Sequence, residues 1–158
     1  MKMEIERKFL VSGDGWRAAA GAGQSCEQGY ISAAGSGATV RVRRIGEKGF
    51  LTLKGASEGI ARPEFEYEIP VDEADYMLEK FCEGRTVSKT RYVIQSAGMV
   101  WEIDEFSGEN RGLVLAEIEL EAENQAFEKP AWLGEEVSGD PRYYNAALAV
   151  NSYSKWGI

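Results

Sequence analysis

Hydrophobic and polar residues alternate one by one over much of this chain, which is the period of a β-strand rather than of a helix. The alternation is cleanest in Thr39-Val40-Arg41-Val42-Arg43-Arg44-Ile45, in Phe50-Leu51-Thr52-Leu53-Lys54, and in Arg62-Pro63-Glu64-Phe65-Glu66-Tyr67-Glu68-Ile69. The pattern predicts strands over 2–11, 26–32, 39–45, 50–54, 62–70, 85–95, 100–106 and 113–122. Short Gly-containing turns, Gly46-Glu47-Lys48-Gly49 and Ser96-Ala97-Gly98, make hairpins of neighbouring strands, and Ala33 to Gly37 is a turn rich in small residues. Helical spacing appears in Ala74, Met77, Leu78 and Phe81, after a start at Pro70-Val71-Asp72-Glu73 and before Gly84. A short helix is expected at Trp16 to Ala20, and Asp140-Pro141 should cap a C-terminal one over about 141–151. No repeat or linker divides the chain, so residues 1–158 read as one domain, all-β dominated.

The polar half of the alternation is charged. One strand face carries Glu4, Glu6 and Lys8; the matching faces of later strands carry Arg41 and Arg43, Lys54, Glu64 and Glu66, Lys89 and Arg91, Glu102 and Asp104, and Glu117 and Glu119. The opposite faces are bulky and apolar, as in Val40/Val42, Leu51/Leu53, Phe65/Tyr67, Trp101/Ile103 and Ile118/Leu120. Two arrangements fit. An open sheet would leave the charges in water. An eight-stranded antiparallel barrel would turn them inward to line a polar tunnel, with helices packed outside. Buried charges in such number require partners or ligands. Clustered carboxylates suit hard divalent cations such as Mg²⁺ or Mn²⁺, and Arg and Lys on neighbouring strands suit phosphate oxygens.

Composition narrows the chemistry. A net charge of −8 argues against nucleic acid or an anionic membrane as partner. The absence of histidine removes the commonest general base and every imidazole metal ligand. Cys26 and Cys82 form no metal-binding spacing and read as buried free thiols of a reducing cytoplasm. No apolar run reaches the length of a membrane span. Tyr30 and Tyr92 read as packing residues, and Trp16, Trp132 and Trp156 as anchors.

Taken in order, Glu4-Ile5-Glu6-Arg7-Lys8-Phe9-Leu10, Gln28-Gly29-Tyr30, Val40-Arg41-Val42-Arg43, Leu51-Thr52-Leu53-Lys54, Glu64-Phe65-Glu66, Lys89-Thr90-Arg91-Tyr92, Trp101-Glu102-Ile103-Asp104 and Leu115-Ala116-Glu117-Ile118-Glu119-Leu120 resemble the strand motifs of the CYTH superfamily, the triphosphate tunnel metalloenzymes. The ending Asp140-Pro141-Arg142-Tyr143-Tyr144-Asn145 is similar to the tail of the short bacterial members, many of them inorganic triphosphatases. The resemblance implies a closed eight-stranded tunnel that hydrolyses tripolyphosphate to pyrophosphate and phosphate with one or two Mg²⁺ or Mn²⁺ ions. It implies substrate binding by Lys8, Arg41, Arg43, Lys54, Lys89 and Arg91. Glu4, Glu6, Glu64, Glu66, Asp104, Glu117 and Glu119 would hold metal or orient the attacking water, with Lys8, Glu4 and Glu6 closest to the chemistry; Glu102 is a weaker candidate. Alternatives within the superfamily are a class IV adenylyl cyclase and a thiamine or nucleoside triphosphatase; outside it, a non-catalytic polyphosphate-binding module. The expected partner is a small-molecule triphosphate, with a homodimer through the apolar outer faces.

Overall fold

In the computed structural model, which describes residues 2–31, 37–56 and 58–157, the strands are β1 (Met3–Val11), β2 (Gln24–Tyr30), β3 (Thr39–Ile45), β4 (Lys48–Lys54), β5 (Ala61–Ile69), β6 (Thr86–Ser96), β7 (Met99–Phe106), β8 (Val114–Glu119) and β9 (Leu133–Glu136). The helices are α1 (Val71–Lys80) and a single turn, α2 (Asn145–Leu148). The turn expected over 33–37 falls largely outside the described residues.

The strands pair antiparallel in the order β5-β4-β3-β2-β6-β7-β8-β1, and β1 returns to β5 to close the barrel. The open-sheet alternative is therefore excluded. Closure is short, with Met3 opposite Pro63 and Ile5 opposite Ala61. Beyond the end of β5, β9 takes over the same edge of β1, Phe9 lying opposite Glu136 and Val11 opposite Leu133. The other edge of β1 is held by β8, from Glu6 opposite Glu119 to Leu10 opposite Leu115.

Because successive side chains point to opposite faces, closure puts the charged set inside and moves the apolar core to the outer surface of the sheet. Phe9, Ile94, Trp101, Ile103, Ala116, Ile118 and Leu120 form that core, covered by Trp16 and by Phe127 and Trp132. The indole of Trp101 meets Phe9, Phe127 and Trp132 edge-on at 5.6–5.8 Å, a favoured aromatic geometry. A second cluster, Val87, Phe106, Leu113, Leu115, Val137 and Leu148, packs with Tyr143, Tyr153 and Trp156. Val87, Phe106 and Leu115 share their strands' faces with Lys89, Asp104 and Glu117, so at this end the interior turns apolar and the C-terminal segment packs against it.

On the other side α1 lies over β3 and β4. Gly49 is required there, since a Cβ would stand 2.7 Å from the Ala74 methyl. The helix leaves Leu53, Phe65 and Tyr67 uncovered on the outer face of β4 and β5. The β6–β7 hairpin turns at Ala97 and Gly98, both with positive φ (50° and 77°), the signature of a type I′ turn.

The C-terminal helix expected over 141–151 is broken. Pro141–Tyr143 is a 3₁₀ turn, capped by the Asp140 carboxylate accepting from the Arg142 amide, and Tyr144 is extended (ψ 136°) before α2 begins. The helix expected at Trp16 is likewise a 3₁₀ turn, Gly15–Ala18.

Candidate functional site

The barrel encloses a cavity of about 650 Å³, lined from all eight closing strands or the residues next to them and from the C-terminal segment. Lys8, Arg41, Arg43, Lys54, Lys89 and Arg91 line it, as do Glu4, Glu6, Glu64, Glu66, Glu102, Glu117 and Glu119. Of the residues singled out in the sequence, Asp104 alone is absent from the lining. It lies beneath the surface, 1% exposed, where its carboxylate accepts from Lys89 Nζ at 2.7 Å and from Arg91 Nε and Nη2 at 2.8 and 2.9 Å. Burial works to raise its pKa, but the two cations hold it far below the usual carboxylate range. Both oxygens of this carboxylate are taken by the two cations.

Lys8, Lys54 and Lys89 are each tethered. Lys8 Nζ donates to the Tyr143 carbonyl at 3.1 Å and lies 3.4 Å from Glu117. Lys54 bonds both oxygens of Glu4, at 3.1 and 3.0 Å. Burial would raise the Glu4 carboxyl, yet Lys54 and Arg62 bring it down to about 2. Lys89 adds a bond to Asn145 Oδ1 at 3.1 Å.

The two inward arginines of β3, Arg41 and Arg43, are under-neutralised. Arg41 and Arg43 reach the same oxygen of Glu66, at 3.5 and 3.4 Å, and each keeps a buried Nε–H with no acceptor among the described residues. Burial lowers the Arg43 pKa, and the charges of Arg41 and Arg91 lower it further. Two guanidinium groups sharing one carboxylate oxygen leave this wall with an excess of positive charge toward the cavity, where an anion would offset it.

The opposite imbalance stands across the barrel. β3 is separated from β8 by β2, β6 and β7 one way and by β4, β5 and β1 the other. On that far wall Glu6 of β1 is in register with Glu119 of β8, and Glu117 with Glu102 of β7. Like charges directly opposed across an antiparallel pair repel. Burial raises the Glu6 pKa well above its ordinary value, and Glu117 and Glu4 push it further. Its side chain has no hydrogen bond or ion pair among the described residues. A hard divalent cation would relieve this repulsion, and the donor set, carboxylate oxygen without imidazole or accessible thiolate, fits Mg²⁺ or Mn²⁺ and not a soft metal. Among the described residues no three Asp or Glu carboxylates already converge on one point, since Glu4 and Glu117 lean onto lysines.

The lining also contains residues that the charge alternation does not mark: Lys2, Tyr30, Arg62, Ser138, Tyr144 and Asn145. Arg62 is nonetheless legible, since it precedes Glu64 and Glu66 on the same face of one strand; its guanidinium lies 3.5 Å from Glu4. Tyr92 packs as expected, edge-on to Trp16 at 5.1 Å.

Comparison with known proteins agrees with this geometry. A family model described as the CYTH domain matches residues 2–144. The chain is 53% identical over 156 residues to a curated inorganic triphosphatase of Acetivibrio thermocellus, covering 99% of each chain. It is 41% identical over 153 residues to one of Nitrosomonas europaea, covering 94% of this chain and 97% of that protein. A crystal structure of an inorganic triphosphatase superposes with a TM-score of 0.67 at 38% identity, over 94% of this chain and 95% of the other. A Bacillus halodurans structure described as an adenylate cyclase, at 19% identity and a TM-score of 0.59 over 78% of this chain and 84% of that one, shares the fold alone.

Proposed function

This chain belongs to the CYTH domain family, and on that premise we propose that it is a divalent-metal-dependent inorganic triphosphatase, hydrolysing tripolyphosphate to pyrophosphate and phosphate inside its charged tunnel. The observation that carries the reading is the sorting of charge across the cavity: Arg41 and Arg43 sharing one Glu66 oxygen on the β3 side, and on the far side Glu6 and Glu119, which have no ion pair among the described residues.

Arg41 and Arg43 would take the phosphate oxygens, their planar forks matching the two-oxygen edge of a phosphate. Lys54, Lys89 and Arg91 would hold the remaining oxygens as fixed charges, kept in place by Glu4, Asp104 and Glu102. Lys8, pinned between Glu117 and the Tyr143 carbonyl, would orient the phosphoryl group under attack. Glu6 and Glu119, with Glu4, Glu64 and Glu117 beside them, would hold Mg²⁺ or Mn²⁺ and accept the proton of the attacking water. When bound, such ions neutralise charge on the phosphate oxygens and activate water for in-line displacement. Glu66 serves the arginines.

The lining gives a nucleobase little to hold: its polar side chains are mostly charged, and its aromatic members are Tyr30 and Tyr144. Inorganic tripolyphosphate, ionised at both ends, therefore fits better than ATP or thiamine triphosphate. We place the enzyme in the cytoplasm, where its buried free thiols, Cys26 and Cys82, stay reduced. A homodimer would form through the outer face at Leu53, Phe65 and Tyr67. The test is product analysis on tripolyphosphate, ATP and thiamine triphosphate, each with Mg²⁺ or Mn²⁺. The expected result is the highest kcat/KM on tripolyphosphate, yielding phosphate plus pyrophosphate. Cyclic AMP from ATP would make the chain a cyclase, and binding without turnover a polyphosphate-binding module.

A further inference from the structure

The edge of β1 away from β8 changes partner at Lys8. Before it, the Glu6 amide donates to the Ile60 carbonyl next to β5 at 3.3 Å; after it, Phe9 lies opposite Glu136 of β9. At Lys8 itself the pairing is only half main chain. Its carbonyl accepts from the Val137 amide at 2.8 Å, but the Val137 carbonyl is turned to the Asp140 amide, 3.0 Å away, and does not receive the Lys8 N–H. The Ser138 hydroxyl receives it instead, at 2.9 Å. A hydroxyl has one proton to give. Ser138 gives it to Glu136 Oε2 at 2.7 Å, since the Lys8 carbonyl is farther, at 3.4 Å, and already taken. Glu136 is an ionised acceptor, its carboxyl held below the ordinary value by Arg7, whose Nε donates to it at 2.8 Å. The Ser138 oxygen therefore meets Lys8 with its lone pairs. The Lys8 ammonium is tied to the same stretch of chain, through the Tyr143 carbonyl at 3.1 Å.

We propose that Ser138 is a positioning residue for Lys8: its hydroxyl completes the backbone pairing at the break between β5 and β9 and so aims the lysine's ammonium at the phosphoryl group under attack. This deepens the triphosphatase reading and rests on it. A continuous ladder would fix Lys8 with no help from a side chain. Here one hydroxyl supplies the acceptor that a buried backbone donor needs, so its loss frees the Lys8 peptide while the pairings on either side, at Glu6 and Phe9, stay in place. Small displacements of a group that holds the reacting centre are costly to rate.

The test compares wild type with Ser138→Ala, Ser138→Val and Ser138→Thr. Val and Thr have the same shape and differ by the hydroxyl, so a packing effect and a lost acceptor separate. The expected result is a fall in kcat on tripolyphosphate of about 10-fold in the Ala and Val variants, with KM changed less, and recovery of kcat in Ser138→Thr. Wild-type kcat in Ser138→Ala or Ser138→Val overturns the proposal, as does a Thr variant as slow as the Val one. Calorimetric binding of tripolyphosphate in Mg²⁺ buffer supplies a readout without turnover. Ser138→Val should bind a few-fold more weakly than Ser138→Thr, and the two should bind alike once Lys8→Met is added to each, because Ser138 acts through the lysine. A gap between Val and Thr that persists beside Lys8→Met overturns the proposal. Wild type that binds without hydrolysing would overturn the triphosphatase reading, while closure of that gap by Lys8→Met would still support the coupling of Ser138 to Lys8.

Discussion

Glu6 on β1 stands in register with Glu119 on β8, two carboxylates opposed across an antiparallel pair inside the barrel. Such a pair costs stability unless something positive comes between. Hydrolysis of tripolyphosphate should accordingly vanish in excess EDTA and return on adding Mg²⁺ or Mn²⁺. Turnover surviving the chelator would rule out carboxylate-held metal as part of the reaction.

The same repulsion predicts a trade-off between function and stability. Burial works to raise Glu4, Asp104 and Glu117, but their cation partners hold all three below their ordinary values. Their stabilisation is full above the unfolded pKa and is lost as pH falls, for Glu4 between 4.5 and about 2. Glu6, Glu64 and Glu102 are raised, by burial first. They act in the opposite sense, weakening the metal-free fold as pH rises above the ordinary 4.5 and they ionise. Metal-free stability should thus peak in mildly acidic solution. Glu6→Gln should raise the metal-free Tm at pH 7 by a few degrees, on the scale of about 2–4 °C per kcal/mol, while abolishing activity. Thermal melts from pH 3 to 8 decide it, and a lower Tm in the variant at pH 7 contradicts the assignment.

Division of labour between the walls is measurable by kinetics. Arg41→Ala or Arg43→Ala should act mainly on substrate binding, raising KM by about 10-fold or more. Glu117→Gln or Glu119→Gln should instead lower kcat or metal affinity, by on the order of 10²-fold. Full activity of both Glu variants at limiting metal would remove β8 from the metal site.

Asp104 and Asn145 both hold Lys89, with different consequences. Asp104→Asn leaves buried Lys89 with no carboxylate in ion-pair contact among the described residues and takes from Arg91 the closest of its partners, Glu102 remaining; it should cost about 3–5 kcal/mol of stability, read by urea denaturation. Asn145→Ala removes one of two acceptors of a lysine that keeps its carboxylate partner. It should leave stability nearly unchanged and raise KM for tripolyphosphate by a few-fold. A large loss of stability in Asn145→Ala would show that the C-terminal segment anchors the barrel more than it shapes the site.

Strand alternation makes the interior legible in the amino-acid sequence, because one period assigns every residue of a strand to a face. It does not assign depth. Asp104 shares its face with Glu102, yet it falls where Lys89 and Arg91 close over it, one layer below the cavity. β9 escapes the alternation for a different reason. Leu133-Gly134-Glu135-Glu136 has no alternation of its own and becomes a strand because β1 runs on past the end of β5 and offers a vacant edge. At the tail, Asp140 and Pro141 signal a helix start, and the capping bond is present. Nothing in that signal says that the helix stops after a turn, with Tyr144 extended and Asn145 bonded to Lys89.

The two edges of β1 also set an order of events. This strand leaves the ribosome first, but β5 satisfies only its first residues, and the rest of its backbone waits for β8 on one side and β9 on the other. Until the chain has passed residue 116, Phe9 has neither flanking strand, and the aromatic lid of Phe127 and Trp132 and the pairing with β9 come later still. The barrel therefore cannot assemble progressively from its start. Its closure is a long-range, late event of the kind that folds slowly, and during translation the nascent β1 is an open, partly apolar edge of the sort that recruits other chains.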